Sequence, residues 1–379
     1  MADAAQGSPD ELAAYIALAQ VPGIGSARLR TLRAAFESAL AAVHAPQGAI
    51  AALPGFSRAA ATAIRALSVQ AGRDVLAVLD RLGARVLLPE DAAFPALLKE
   101  IPDPPPLLYA WGDVSSLSRP AVGMVGSRNH TAYGAAAARM LAGGVARQAV
   151  VVSGMARGLD AVAHEAALDA GGASVGVLGN GFGVIYPAAN RPLYERMVGH
   201  GCLITEHPPG ERPHAGAFPR RNRLISGLAG VTVVVEAAPG SGALITADCA
   251  LDQGRAVLAV PGPITSPTSL GCNKLLQQGA KPALCAADIL EELGLASSDV
   301  AGAVAGERRG PVAAPADLTQ LQRALWDALE RDPRHVDALV AAVPTTMGAG
   351  TADVLTALTE LELRGLVRQD PGMLFGLAS

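Results

Sequence analysis

An arginine-rich run, Phe218-Pro219-Arg220-Arg221-Asn222-Arg223, places three arginines and one aromatic ring within six residues. A guanidinium can bind a phosphate through two hydrogen bonds, and a phenyl ring offers its face to a base. The alternative is a solvated, cationic start of a helix, but positive charge is unfavourable at a helix N-terminus. The run therefore predicts contact with a polyanion that carries stackable bases.

Four glycine-rich turns follow apolar runs that are typical of buried strands. In a parallel sheet all strand carboxyl ends lie at one edge, so these turns would share one rim. Glycines let backbone amides approach a ligand, and Arg128 and Arg157 would add positive charge to that rim. The pattern predicts a ligand that carries phosphates. The turns lie at 126–129, 153–158, 179–183 and 239–242.

Patterns that would indicate an enzyme are incomplete. No G-x-x-x-x-G-K-[ST] loop is present, and the glycines at 179–183 have the wrong spacing for G-x-G-x-x-G. Asp160 and His164 are four residues apart, so a helix would place both on one face, suited to metal binding or acid–base chemistry. No third ligand accompanies them, which favours a structural pair. We therefore predict no catalytic residue, no metal site and no cofactor.

Residues 119–293 alternate apolar runs with helical patterns such as 132–147 and 159–170. Parallel strands that are covered on both faces are continuously apolar. The alternation therefore predicts an α/β fold with an extended Rossmann-like, doubly wound parallel sheet. The expected strands are 121–125, 149–152, 174–178, 202–205, 231–235 and 256–260.

Residues 1–85 are expected to form a small helical domain of the SAM or helix-hairpin-helix type. Residues 8–11 fit a capping box with proline at the first helical position. The turns at 21–25 and 53–57 resemble helix-hairpin-helix turns, in which glycines bring amides near a DNA phosphate, and arginines follow the first at positions 28, 30 and 33. The alternative is a packing module with tight turns, since glycine serves turns generally.

The remaining segments are a connector, a linker and an acidic C-terminal domain. Residues 86–115 are rich in proline and are expected to lie extended on the next domain, so that the central domain spans 86–294. Residues 295–316 have the composition of a flexible linker. Residues 317–379 show three helical patterns and two short strands around Asp370-Pro371-Gly372, which predicts a winged helix. With nine acidic residues against five arginines, this domain is expected to contact proteins rather than DNA.

Composition narrows the class of protein further. The 379 residues carry a net charge of −4, so any nucleic-acid binding must come from a local cationic patch. The four cysteines form no C-x-x-C pair and are expected to be reduced and buried. The first residues are polar and acidic, unlike a signal peptide, and no run of about 18 apolar residues exists. We expect no membrane contact and a cytoplasmic location.

Five stretches of the chain resemble the DNA-processing protein A (DprA/Smf) family of bacterial recombination mediators. They span about 160 residues in the family's order, and the helical front and winged-helix tail also fit its longer members. The stretches are VGMVGSRNHTAYG (122–134), SGMARGLDAVAHEAAL (153–168), FPRRNRLISGL (218–228), GSGALITADCALDQGRAVLAVPG (240–262) and GCNKLLQQGA (271–280).

The resemblance implies a homodimer that binds single-stranded DNA without sequence specificity. It also implies that the protein loads the RecA recombinase onto that DNA, in natural transformation and DNA recombination, and that it is not an enzyme. Some members carry a lysine shortly before the Phe-Pro pair, and here Arg212 stands in that region. Together with the rim, the resemblance predicts that DNA is bound by Gly126, Ser127, Arg128, Asn129, Arg157, Arg212, Phe218, Arg220, Arg221, Asn222, Arg223, Gly240, Ser241, Gly242 and Lys274.

The alternative function is a Rossmann-like nucleotide-binding enzyme of the nucleoside monophosphate phosphoribohydrolase type. The P-G-G-x-G-T-x-x-E loop of those enzymes is echoed by residues 239–246. The catalytic glutamate is absent, because Glu236 and Asp248 are out of register with the loop. A nuclease is disfavoured as well, since no clustered carboxylates suggest a two-metal site.

Overall fold

The computed structural model describes residues 8–295, 315, 317–329, 334–344, 347–370 and 373–377. The chain divides into two compact units, Met1–Ala301 and Gly302–Ser379. The linker expected at 295–316 lies outside the described residues, apart from its two positions 295 and 315.

A helical region precedes the sheet. Its helices are α1 (Pro9–Ala19), α2 (Ser26–Phe36), α3 (Ala39–His44), α4 (Gln47–Ala51), α5 (Arg58–Arg65) and α6 (Val69–Leu82). The Ser8 hydroxyl accepts a hydrogen bond from the Glu11 amide at 3.3 Å and so caps α1, as the sequence predicts. The Glu11 carboxylate does not complete a capping box but binds the amides of Ala39 and Leu40, which joins α1 to the start of α3.

Nine strands of the described residues form one sheet, with the order β1-β2-β6-β5-β4-β3-β7-β8-β9. Its strands are β1 (Arg85–Leu87), β2 (Leu108–Gly112), β3 (Ala121–Val125), β4 (Val150–Ser153), β5 (Ser174–Val177), β6 (Cys202–Thr205), β7 (Val231–Val234), β8 (Ala256–Ala259) and β9 (Lys281–Pro282). The seven strands from β6 to β9 in this order are parallel. The predicted doubly wound α/β fold is confirmed.

The sheet differs from the prediction at one edge. The proline-rich segment is not only a connector, because β2 and most of β1 form within it. Strand β1 pairs antiparallel with β2, and β2 pairs antiparallel with β6. The prolines at 102–106 lie in the loop before β2, so the apolar run Leu108–Gly112 keeps its amides for the sheet.

Helices cover both faces of the sheet. They are α7 (Ala96–Lys99), α8 (Ala132–Val145), α9 (Leu159–Asp169), α10 (Arg191–His200), α11 (Ala217–Leu228), α12 (Gly242–Asp252), α13 (Leu270–Gln277) and α14 (Ala286–Glu292). Within β3, Ala121 and Val125 belong to the core beneath α11 and α12, whereas Val122 and Met124 belong to the core beneath α8 and α9. This two-sided burial explains why the strand sequences are apolar throughout.

The helical region shares a core with the sheet edge rather than standing apart from it. Ile16 and Leu32 belong to the same buried cluster as Tyr109 and Leu203. The Ser26 hydroxyl donates to the Pro104 carbonyl at 2.7 Å, and the Tyr15 hydroxyl donates to the Pro106 carbonyl at 2.9 Å. The proline-rich loop is thereby fixed to the first helices.

The second unit is a winged helix, as predicted. Its elements are α15 (Gln320–Leu329), β10 (Arg334–His335), α16 (Val336–Ala342), α17 (Thr351–Leu363), β11 (Val367–Asp370) and β12 (Leu374–Leu377). The strands form an antiparallel sheet in the order β10-β12-β11. Leu325, Leu339, Leu358 and Phe375 form the centre of its own hydrophobic core.

The four cysteines are free thiols. Cys202 and Cys272 are buried as expected, whereas Cys249 and Cys285 are half-buried. Burial raises the pKa of Cys202 and of Cys272 to about 12, so both thiols are protonated at neutral pH.

Candidate nucleic-acid interface

A groove lies at the carboxyl ends of the parallel strands, beside β3 and β7. From β3 the chain proceeds to β4, β5 and β6 on one side, and from β7 it proceeds to β8 and β9 on the other. This reversal is the topological switch point, where open α/β sheets bind their ligands. The groove has a cavity volume of about 600 Å³ and is lined by the turn after β3 and the first turns of α11 and α12.

The structure brings most of the predicted site residues to this groove. Arg157 lines an adjoining cavity of about 260 Å³, which shares Arg128, Phe218 and Arg221 with the groove. The predicted residues that line the groove itself are Gly126, Ser127, Arg128, Asn129, Phe218, Arg221, Asn222, Ser241 and Gly242. That these residues bind DNA stays a prediction.

Arg128 is exposed at the rim and has no carboxylate partner within the described part of the chain. Its guanidinium carbon lies 5.7 Å from the centre of the Phe218 ring. The turn that carries it is fixed from below, because the Leu159 amide donates to the Ser127 carbonyl at 3.1 Å. A β-carbon on Gly158 would lie 2.5 Å from the same carbonyl oxygen, so this position requires glycine. Arg128 therefore presents a free positive charge next to an aromatic face.

Arg221 is not the exposed arginine that the sequence suggests. The side chain is buried, and its Nη1 donates to the backbone carbonyls of Gly154 and Val177. Burial lowers the pKa of Arg221, and the nearby Asp160 carboxylate opposes that effect. The guanidinium thus forms part of the groove floor, where its charge acts on a ligand from below.

Asp160 and His164 have separate structural contacts, in agreement with the structural interpretation of this pair. Asp160 Oδ2 accepts hydrogen bonds from the amides of Gly154 (3.1 Å) and Ala156 (3.4 Å). Burial raises the pKa of Asp160, and the charge of Arg221 opposes this. His164 Nδ1 lies 2.7 Å from Ser174 Oγ, and burial followed by the Arg221 charge lowers the pKa of His164 to about 3. His164 is therefore neutral near physiological pH.

Arg223 does not belong to the groove, contrary to the sequence prediction. Its guanidinium pairs with Glu206 at 2.7 Å and with Asp103 at 3.4 Å. The reason is helical periodicity, since side chains turn by about 100° per residue. Phe218, Arg221, Asn222 and Ile225 occupy the face of α11 that lines the groove, and position 223 points away from it.

Four further predicted residues do not line either cavity. Arg220 lies on the exposed side of α11, and Gly240 precedes the part of its turn that reaches the groove. Arg212 lies in the loop before α11, and Lys274 lies on α13. All four residues are therefore exposed and lie outside both the groove and the adjoining cavity.

Several glycines of the rim serve internal packing instead of ligand approach. A β-carbon on Gly154 would lie 2.5 Å from the Arg221 guanidinium. One on Gly179 would lie 3.1 Å from the Phe218 ring, so this glycine allows the ring to sit against the turn after β5. Gly240 and Gly242 have no atoms near their β-carbon positions and remain open. The glycines of the rim therefore have two roles. Gly179 leaves space for the Phe218 ring, and Gly240 and Gly242 keep the turn before α12 open to a ligand.

Sequence reasoning missed two tyrosines that line the adjoining cavity. Tyr186 is half exposed, and its ring centre lies 5.6 Å from that of Phe218 with a tilt of 36°. Tyr194 is buried and donates its hydroxyl to the Tyr186 carbonyl at 3.0 Å. Tyr186 follows an irregular stretch with no periodic pattern, so only the fold reveals its proximity to Phe218.

Glu236 is a buried carboxylate at the end of β7, close to the groove. It accepts hydrogen bonds from the Thr131 amide at 3.0 Å and the Thr131 hydroxyl at 2.5 Å, which fixes the start of α8. Among the described residues, no three His, Cys, Asp or Glu side chains converge to hold a metal ion. No described helix is both long and apolar enough to cross a membrane.

Comparison with known proteins identifies relatives of both units. A family model described as DNA recombination-mediator protein A matches residues 85–294, and one described as DprA winged helix domain matches residues 309–373. Protein Smf of Synechocystis sp. is 33% identical over 395 residues, which cover 96% of this chain and 98% of that protein.

Two solved structures are also similar. DNA processing protein A from Streptococcus pneumoniae aligns with a TM-score of 0.63 and 32% identity, over 75% of this chain and 97% of that chain. A structure of DNA processing protein A from Helicobacter pylori, described for its unique single-stranded DNA binding mode, aligns with a TM-score of 0.51 and 29% identity, over 55% of this chain and 95% of that chain.

Proposed function

We propose that this chain, which belongs to the DNA-processing protein A (DprA/Smf) family, binds single-stranded DNA in the groove beside β3 and β7. The observation that carries this proposal is the placement of Arg128 next to the Phe218 ring at the switch point. A free guanidinium suits a phosphate, and the ring suits an unstacked base. The Helicobacter pylori relative, described as binding single-stranded DNA, supports the same ligand.

The first turn of α12 completes the phosphate site. Ser241 caps this helix through its hydroxyl, and Asn222 Nδ2 donates to the Gly242 carbonyl at 3.2 Å, which holds α12 against α11. The positive end of α12 and the buried charge of Arg221 then act on the same phosphate backbone. Such contacts do not read bases, so binding has no sequence specificity.

Family membership supports the remaining parts of the function. The protein loads RecA onto the bound strand in natural transformation and DNA recombination, and it acts as a homodimer. When both subunits of the dimer bind the same strand, binding at one groove raises the effective concentration of DNA at the other. Residues 1–85 and 86–294 act together as one unit, and the winged-helix domain 317–379 follows the linker 295–316. The winged helix contacts proteins, and the protein works in the cytoplasm.

The protein acts as a mediator and catalyses no reaction itself. Asp160 is the buried carboxylate that lines the groove, whereas the buried His164 and Glu236 line neither cavity. Asp160 holds the turn after β4, His164 contacts Ser174 of β5, and Glu236 holds the start of α8. The phosphoribohydrolase alternative lacks its glutamate, since Glu236 and Asp248 are out of register with the turn at 239–242 and Glu236 binds Thr131.

Fluorescence anisotropy with single-stranded and duplex oligonucleotides tests this function. We expect the single strand to bind more tightly, because only unpaired bases expose a face to Phe218. The logarithm of affinity should fall with the logarithm of salt concentration by about 0.7 for each contacted phosphate on a single strand. Absence of binding at low salt, or equal affinity for the duplex, would refute the proposal. RecA filament growth on DNA covered by a single-strand-binding protein, with and without this protein, tests the loading step.

A further inference from the structure

We propose that the cavity beside the groove accepts one unpaired nucleobase of the bound strand and that Tyr186 is its second stacking surface. This inference rests on the proposed function, because it assigns a base of the strand to the cavity while the phosphates of that strand bind in the adjacent groove. The cavity has a volume of about 260 Å³ and lies between the turns after β4 and β5 and the segment around Tyr186.

The cavity and the groove form one continuous path for a strand. Arg128, Phe218 and Arg221 line both, so a nucleotide whose phosphate lies near Arg128 can direct its base into the cavity. Arg157 is exposed and also lines the cavity, which provides a second cation for a neighbouring phosphate. No carboxylate lines this cavity within the described part of the chain. Its charge therefore suits a nucleotide flanked by phosphates.

The two aromatic rings differ in their freedom to move. Phe218 is fixed against Gly179, where a β-carbon would lie 3.1 Å from the ring. Tyr186 is 45% exposed, while its backbone is held by the Tyr194 hydroxyl. With ring centres 5.6 Å apart, the pair touches directly and leaves no room for a base between the rings. Rotation of the exposed Tyr186 side chain would open a slot beside the fixed Phe218 ring.

A nucleobase matches the chemistry of this slot. Its flat faces suit two aromatic rings, and its edges meet the backbone of the turns at Gly154 and Gly179. A base in a duplex must first leave its partner and its stack, which costs a few kcal/mol. A strand that is already single avoids most of this cost. The cavity therefore adds to the preference for single-stranded DNA without selecting a sequence.

The test compares an ordinary oligonucleotide with an abasic strand of equal length, using anisotropy. Tyr186→Ala should lower affinity for the ordinary strand about tenfold, the size of one lost stacking contact, and should leave affinity for the abasic strand unchanged. Tyr186→Phe should bind both strands like the wild type, because the ring remains. Tyr133→Ala removes a similarly exposed tyrosine on α8 that lines neither cavity, and it should change neither affinity.

A strand carrying 2-aminopurine gives a direct second measurement. Its fluorescence should be quenched on binding to the wild type and Tyr186→Phe, and markedly less on binding to Tyr186→Ala. The base pocket is refuted if Tyr186→Ala binds the ordinary strand like the wild type, or if it loses equal affinity for the abasic strand. If the wild type binds neither strand, the proposed function itself fails, and the pocket fails with it.

Discussion

Gly154 and Arg221 meet at the floor of the groove, where the Gly154 carbonyl accepts a hydrogen bond from Nη1 of the arginine. A β-carbon on residue 154 would lie 2.5 Å from that same nitrogen. The Gly154 amide in turn donates to Asp160. The turn after β4 and helix α11 are thus joined through a buried guanidinium, so a substitution in the turn should alter the packing of α11.

Gly154→Ala should lower the free energy of unfolding by about 1–3 kcal/mol, because the added methyl group overpacks the site of a buried guanidinium. Urea denaturation would measure this. Gly143→Ala is the matched control, since its β-carbon would come no closer than 3.8 Å to another atom. Within helix α8 that change should stabilise the protein by about 0.5–1 kcal/mol. Equal stability of the two variants would contradict the close approach at Gly154.

Arg128→Ala should weaken binding of single-stranded DNA, because one phosphate contact is lost. The slope of the logarithm of affinity against the logarithm of salt concentration should become shallower by about 0.7. Anisotropy titrations at several salt concentrations would measure both. Arg223→Ala is an internal comparison from the same predicted site. It should keep the salt dependence of the wild type, because Arg223 faces Glu206 and Asp103. A smaller salt slope for Arg223→Ala would show that this arginine reaches the DNA after all.

The stability of the protein should depend on pH through His164. Its pKa is lowered to about 3, so below its ordinary value of 6.5 the unfolded chain binds a proton that the folded protein does not. The contribution of His164 is therefore fully present above about pH 6.5 and is lost as the pH falls towards 3. In that window the unfolding free energy should change by about 1.4 kcal/mol per pH unit from this group.

Comparison of His164→Gln with the wild type would isolate this effect. Urea denaturation between pH 4 and pH 7 should show a shallower pH dependence for the variant, since glutamine binds no proton in either state. The same slope for His164→Gln as for the wild type would refute the assignment.

Truncation after residue 301 should leave affinity for single-stranded DNA within about twofold of the full chain. The removed winged helix carries nine acidic residues against five arginines, so it offers little to a phosphate backbone. The first unit retains the sheet and its cores. Anisotropy on the truncated and full-length proteins would measure the difference. A large loss of affinity would place part of the DNA site on the winged helix.

Much of the fold could be predicted because a buried parallel strand is apolar at every position. Ala121–Val125 and Cys202–Thr205 form strands with the predicted bounds. The antiparallel strands escaped prediction, because β1 is only three residues long and β2 follows a proline-rich stretch. Strand β6, the second partner of β2, is distant from it in sequence, so no local pattern indicates that pairing.

The candidate site was only partly predictable for a related reason. Arg128 follows a strand directly, so the sheet alone places it at the rim. The run from Phe218 to Arg223 lies on a helix, and a helix cannot direct all of its side chains to one groove. Tyr186 approaches Phe218 only through tertiary contacts. Side chains that meet in this way leave no spacing that a sequence pattern could reveal.

The two edges of the nine-stranded sheet differ. At one edge, the helices before β1 share their core with the sheet, so the outermost strand is supported by neighbouring structure. At the other, β9 consists only of Lys281 and Pro282. A proline has no amide hydrogen for another strand, and a lysine discourages close stacking of a second edge. A second strand therefore finds few free amides at this edge, which disfavours growth of the sheet through β9.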